Sequence, residues 1–249
     1  MTGLWIEGKL IGNAVVTIIL FAVGPLALAR WNRVDWSEGF RLRGASVPVF
    51  IAAILLGFSL WPFAYELELM AISSDRIEIM KELYTKIKAM LDAIPLPAKI
   101  LAIAFVPAVC EELFFRGYLL TALRTRMSTP LAIALSGGLF GLFHVIAIDS
   151  LFFERFVPTC FMGLILGCVC CRTESVLPGM LMHSIHNGLL LSMSSFTEEL
   201  AELGVGTEMR EHLPTLWLVS AGITVVIATG IMVLGSRKGS ASNLSRAVT

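Results

Sequence analysis

The sequence predicts an all-α fold, a polytopic transmembrane helical bundle of about seven spans with an amphipathic helix between spans two and three. Three observations predict it. Of 249 residues, 56% are hydrophobic and 15% are charged, where an ordinary soluble domain carries about 25% charged residues. The mean hydropathy is +0.81. The charges that remain gather in short stretches, and the apolar runs between them are about 18 to 22 residues long, enough to cross a bilayer as helix. This composition excludes a disordered chain, a disulfide scaffold and a soluble enzyme. Nineteen basic residues balance nineteen acidic ones, so no polyanion-binding excess exists and nucleic acid is not an expected partner.

The first run, Leu10 to Ala29, stops at Arg30. Its end, Ala27-Leu28-Ala29, has the small residues of a signal-peptidase site. The run is longer than a leader core, Glu7 stands beside Lys9 and arginines follow at once, so a retained anchor is expected. The second run is Val47 to Tyr65. A charged stretch follows from Glu66 to Lys99, in which Met70, Ile77, Met80, Leu83, Tyr84, Ile87 and Leu91 recur at helical spacing, the pattern of an amphipathic helix that lies on the membrane or caps the domain. Pro95 and Pro97 end it. The remaining spans are expected at Ile100 to Leu120, Pro130 to Ile148, Phe156 to Cys171, Val176 to Met193 and Leu216 to Leu234. An acidic helical segment, Thr197 to His212, separates the last two, and the Ser-rich tail after Ser236 reads as disordered. Three regions result: residues 1–98 with two spans and the amphipathic helix, 99–195 as a core, and 196–249 with the acidic loop, last span and tail.

Alternating the spans places ten of the Lys and Arg residues on one side and eight on the other, five of the eight within the amphipathic stretch. The positive-inside rule then puts the N-terminus out and the C-terminus in, in a cell membrane. Gly137 with Gly141, and Gly163 with Gly167, mark closely packed helices. No internal repeat of the inverted-transporter kind is visible, which weakens a carrier reading. The five cysteines, Cys110, Cys160, Cys168, Cys170 and Cys171, lie in or at the ends of spans and read as small packing residues. S-acylation of the last three is an alternative.

A charged side chain at mid-membrane costs at least about 2.5 to 3.5 kcal/mol, so the ionisable residues inside spans ask for a reason. They are Glu111, Glu112 and Arg116 in the third span, His144 in the fourth, and His183 and His186 with Asn187 in the sixth. Glu112 and Arg116 are four apart and share a helix face, where they neutralise each other. Glu111 is turned about 100° away and is left as the unpaired carboxylate, a candidate general base. His183 and Asn187 share a face of their own, while His186 points elsewhere. A single buried histidine is as readily a structural tie as a catalyst. Together, a carboxylate base, imidazoles from two other helices and an amide make an unlikely set of coincidences.

The segment Glu111-Glu112-Leu113-Phe114-Phe115-Arg116 carries EExxxR, Phe140 to His144 carries FxxxH, and His183 to Asn187 carries HxxxN. In these three ordered motifs the chain resembles the CAAX prenyl endopeptidase and bacteriocin-processing (CPBP, or Abi) family of intramembrane proteases, over roughly Lys99 to Met193. The resemblance implies an endopeptidase acting on a membrane protein or lipidated peptide in the bilayer. Glu111 and His144 would hold and deprotonate water, and His183 and Asn187 would stabilise the oxyanion. Glu112, Arg116 and Phe140 would support them. Members are often described as metalloproteases, and Glu111, His144 and His183 are the candidates for a zinc; a metal-independent glutamate mechanism is the slightly preferred reading, since few ligands remain if His183 and Asn187 serve the oxyanion. The competing readings are a non-catalytic binding, immunity or scaffold protein on the same fold, and a proton or solute carrier using Glu111 and His144 as a relay.

Overall fold

The computed structural model describes residues 3–147, 153–196, 200, 202 and 212–246. Among these the chain is helical, with no strand. Helix α1 covers residues 3–31, α2 Val47–Ala71, α3 Ile77–Asp92, α4 Leu96–Arg124, α5 Thr129–Ala147, α6 Phe156–Thr173, α7 Leu177–Met193 and α8 Thr215–Arg246. Two of them contain stretches of wide, π-type winding, three in all: Ile19–Val23 in α1, and Ile100–Phe105 and Leu113–Leu119 in α4.

Five segments are long and apolar enough to cross a membrane: Ile11–Trp31, Val47–Ala71, Thr129–Ile146, Phe153–Thr173 and Thr215–Ser236. The bent pair α3 and α4, which meet at 115°, raises the number to six. Of the seven predicted spans the other two are α4, which enters with that pair, and α7. The apolar runs of α4 and α7 are the ones that carry the site: Glu111, Glu112 and Arg116 interrupt the first, and the second is only 17 residues long and includes His183, Ser184, His186 and Asn187. The tail is a correction. It continues α8 as helix to Arg246, as its lack of proline and its share of Ala, Ser, Leu, Lys and Arg permit. The acidic segment predicted over Thr197 to His212 lies almost wholly outside the described residues, as does the predicted end of the fourth span at Ile148.

The core joins α2, α6, α7 and α8. Ala52, Ala53, Leu56 and Leu60 of α2 pack with Met162, Leu166 and Val169 of α6, Met182 of α7, and Ala228 and Met232 of α8. Lipid tails are as apolar as these side chains, so close packing rather than escape from water holds such helices together. Glycine supplies the closeness. A Cβ at Gly57 would stand 2.9 Å from the Met182 carbonyl, which fixes α2 against α7. A Cβ at Gly163 would stand 2.9 Å from Gly137 Cα, and one at Gly141 3.0 Å from the Phe156 carbonyl. The four predicted glycines thus lie along the α5 to α6 crossing.

Each end of the bundle is tied by polar contacts. At one end the loop before α2 grips the α6 to α7 turn: Ser175 Oγ donates to the Arg43 carbonyl (2.5 Å), Val176 N to the Arg41 carbonyl (3.1 Å), and Glu174 pairs with Arg41 and Arg124. At the other end lies α3, amphipathic as predicted. Its Met80 is fully buried and its Glu82–Lys86 and Lys88–Asp92 pairs face outward. Tyr84 donates to Glu68 and accepts from Arg155 (2.8 Å), while Arg76 Nε and Nη2 reach Glu154 at 2.5 and 3.3 Å. These bonds hold α3 against the end of α2 and the start of α6.

Candidate active site in the bundle interior

The site is built on α4. Glu112 is fully buried, and its Oε1 accepts from Arg116 Nη1 at 2.7 Å, the pairing expected from their spacing. Arg116 has no exposure either. Its Nη2 donates to the Gly163 carbonyl of α6 (3.0 Å) and its guanidinium lies 4.3 Å above the Phe140 ring of α5. A buried cation is therefore met by a carboxylate, a carbonyl and an aromatic face, while its Nε has no hydrogen-bond partner among the described residues.

His183 of α7 meets the same carboxylate. Its Nδ1 lies 3.2 Å from Glu112 Oε1. A carboxylate paired with arginine accepts only, so the Nδ1 proton is assigned to this contact. The ring then turns Nε2 toward Glu111 Oε2, 4.0 Å away. His144 is oriented in the same manner: Nδ1 donates to the Phe140 carbonyl one turn back (2.9 Å), and Nε2 faces Glu111 Oε2 at 3.9 Å. Two imidazoles from different helices therefore point the same type of atom at one carboxylate oxygen. That oxygen is buried and has no hydrogen-bond partner among the described residues, a state it shares with Glu112 Oε2, Arg116 Nε, Ser184 Oγ and His186 Nδ1; each such atom asks for an explanation. Phe140 forms the wall between these groups, with ring centres 4.4 Å from His144 and 5.6 Å from His183.

The structure thus brings together Glu111, Glu112, Arg116, Phe140, His144 and His183. Asn187 lies one turn beyond His183 on α7, half-buried, and forms no hydrogen bond among the described residues. His186 is buried, and its Nδ1 has no hydrogen-bond partner among the described residues. Sequence reasoning missed the Glu112 to His183 contact and the part played by the Gly163 carbonyl. A helical wheel gives Glu112 to Arg116 alone, and a backbone carbonyl leaves no signal in residue identity.

Glu111, His144 and His183 do not fit a zinc ion as placed. Ligands about 2.1 Å from a tetrahedral metal stand roughly 3.4 Å apart, against 3.9 and 4.0 Å here. No group of three His, Cys, Asp or Glu side chains among the described residues could hold a metal ion.

Residues 93–189 match the family model described as type II CAAX prenyl endopeptidase, Rce1-like. The match takes in α4 to α6 and most of α7, and so every residue of the cluster, and it agrees with the CPBP resemblance of the three motifs. No curated protein and no solved structure matches the chain. The chain is an integral membrane protein, and the region that bears its site is similar to that family.

Proposed function

We propose that the chain is an intramembrane endopeptidase that hydrolyses a peptide bond by water activated at Glu111. The observation that carries this reading is the buried, unpartnered Glu111 Oε2 facing both His144 Nε2 and His183 Nε2. Separations of 3.9 and 4.0 Å are too long for direct hydrogen bonds. They match two groups that share one water at about 2.8 Å each.

In the proposed reaction that water donates to Glu111 and His144, and its oxygen attacks the scissile carbonyl carbon as Glu111 takes the proton. The carbonyl electrons become an oxyanion. His183 Nε2, when it carries a proton, and the Asn187 amide are the donors for that charge, and donors fixed in an apolar site act strongly on it. Glu112 holds the His183 ring through Nδ1. As the oxyanion collapses the C–N bond breaks, and the leaving nitrogen takes the proton from Glu111. The balance is one water consumed and a carboxylate and an amine formed.

The family match names the substrate class to try, a prenylated C-terminal CaaX segment. The proposed domain division keeps residues 99–195 as the hydrolytic core, flanked by 1–98 and 196–249. The proposed orientation sets the Arg41, Arg124 and Arg172 end in the cytoplasm and the N-terminus outside.

The test uses the full chain in liposomes with a farnesylated CaaX peptide, alongside a comparison of peptide termini in membranes carrying wild type or Glu111→Gln. New termini that depend on Glu111 are expected. Equal cleavage by a correctly inserted Glu111→Gln variant would overturn the reading.

A further inference from the structure

The three wide stretches of helix do not share a cause. Ile19–Val23 and Ile100–Phe105 each run into a proline, Pro25 and Pro107, whose missing N–H and bulky ring disturb the regular ladder. Leu113–Leu119 has no proline within it or in the turn that follows. It is met instead by side chains of two neighbouring helices. Ser136 Oγ of α5 donates to the Phe115 carbonyl at 3.0 Å, and Cys170 Sγ of α6 lies 3.7 Å from the Arg116 carbonyl. The Phe115 carbonyl also takes the Leu120 N–H, five residues on.

Serine in a membrane helix commonly bonds the carbonyl four residues back. Ser59 and Ser192 do so here, to Leu55 and Gly188. Ser136 is fully buried and leaves its own helix to reach α4. It also heads a stripe. Ser136, Phe140 and His144 follow at intervals of four and so lie on one face of α5. The first holds the Phe115 carbonyl, the second packs beneath Arg116, and the third faces Glu111.

We propose that Ser136 is a positioning residue for the cluster. Its hydroxyl fixes the wide turn of α4 and the register of α5 against it, and thereby sets Arg116, Glu112 and His183 on one side and His144 on the other. The consequence for catalysis rests on the peptidase reading; the positioning itself does not.

The test compares wild type, Ser136→Ala and Ser136→Cys as full chains in nanodiscs labelled with 15N-histidine. The chain has four histidines, and exposed His212 serves as the internal reference. In Ser136→Ala the His144 and His183 signals are expected to move while that of His212 stays. Ser136→Cys, which keeps a weak donor, should show a smaller displacement. On the farnesylated peptide, kcat of Ser136→Ala should fall about tenfold with KM within about twofold of wild type, as for a displaced rather than a missing catalytic group. Unmoved His144 and His183 signals, or an equal displacement of His212, overturn the proposal. A wild type that leaves the peptide intact counts against the peptidase reading alone, because the histidine spectra still decide the place of Ser136.

Discussion

His183 Nδ1 lies 3.2 Å from Glu112 Oε1, the same oxygen that accepts from Arg116. One carboxylate atom thus joins the ion pair of α4 to the imidazole of α7. Removing Arg116 strips a buried charge of its partner, which typically costs about 3 to 5 kcal/mol. Arg116→Ala is therefore expected to lower the thermal midpoint strongly in a detergent unfolding assay. It should also abolish cleavage, since the orientation of His183 is lost with Glu112.

Glu111 is expected to behave in the opposite manner. Its Oε2 contributes no hydrogen bond to the fold, so Glu111→Gln removes a buried carboxylate without breaking a contact. The thermal midpoint should stay level or rise, while cleavage drops by about 10² to 10⁴, the usual contribution of a general base. A parallel loss of stability and activity would mean that Glu111 serves the packing.

Chelation separates two chemistries. With the imidazole to carboxylate separations observed, cleavage should persist after metal stripping and in 1,10-phenanthroline. Loss of cleavage in chelator and its return with zinc would assign Glu111, His144 and His183 to a metal.

The α3 brace carries a pH signature. Burial holds the Tyr84 phenol above its ordinary value, against the pull of the nearby Arg155 charge. The folded chain therefore favours the neutral phenol. Its stabilisation is complete below the unfolded value of about 10 and is lost as pH rises toward and through the folded one. Protease cutting of the exposed Ser73 to Asp75 turn should accelerate above about pH 10 in wild type. In Tyr84→Phe it should be several-fold faster at neutral pH, on the scale of one lost hydrogen bond at about 1 kcal/mol.

Much of the site was legible before any coordinates because its pieces lie within single helices. The Glu112 to Arg116 pairing follows from four-residue spacing, and the isolation of Glu111 follows from its rotation on the same helix. What joins the helices was not legible. The contact of His183 with Glu112 spans 71 residues of chain and depends on how closely α7, α2, α5 and α6 approach at Gly57, Gly137 and Gly163. The number of spans turns on α4 and α7, where polar residues cut into apolar runs, because hydropathy registers the charges without registering their partners. The tail beyond Ser236 was misread because composition alone does not stop a helix that is already wound.

The contacts of Arg116 also carry an order in time. Its partner in α4 is four residues away, but the Gly163 carbonyl and the His183 ring that complete the set are 47 residues after Arg116 and 71 after Glu112. During synthesis α4 therefore enters the membrane with only its own carboxylate to offset the guanidinium. If the helices enter in chain order, Glu112 is the partner already present for the arginine, and it takes up the histidine only when α7 has followed.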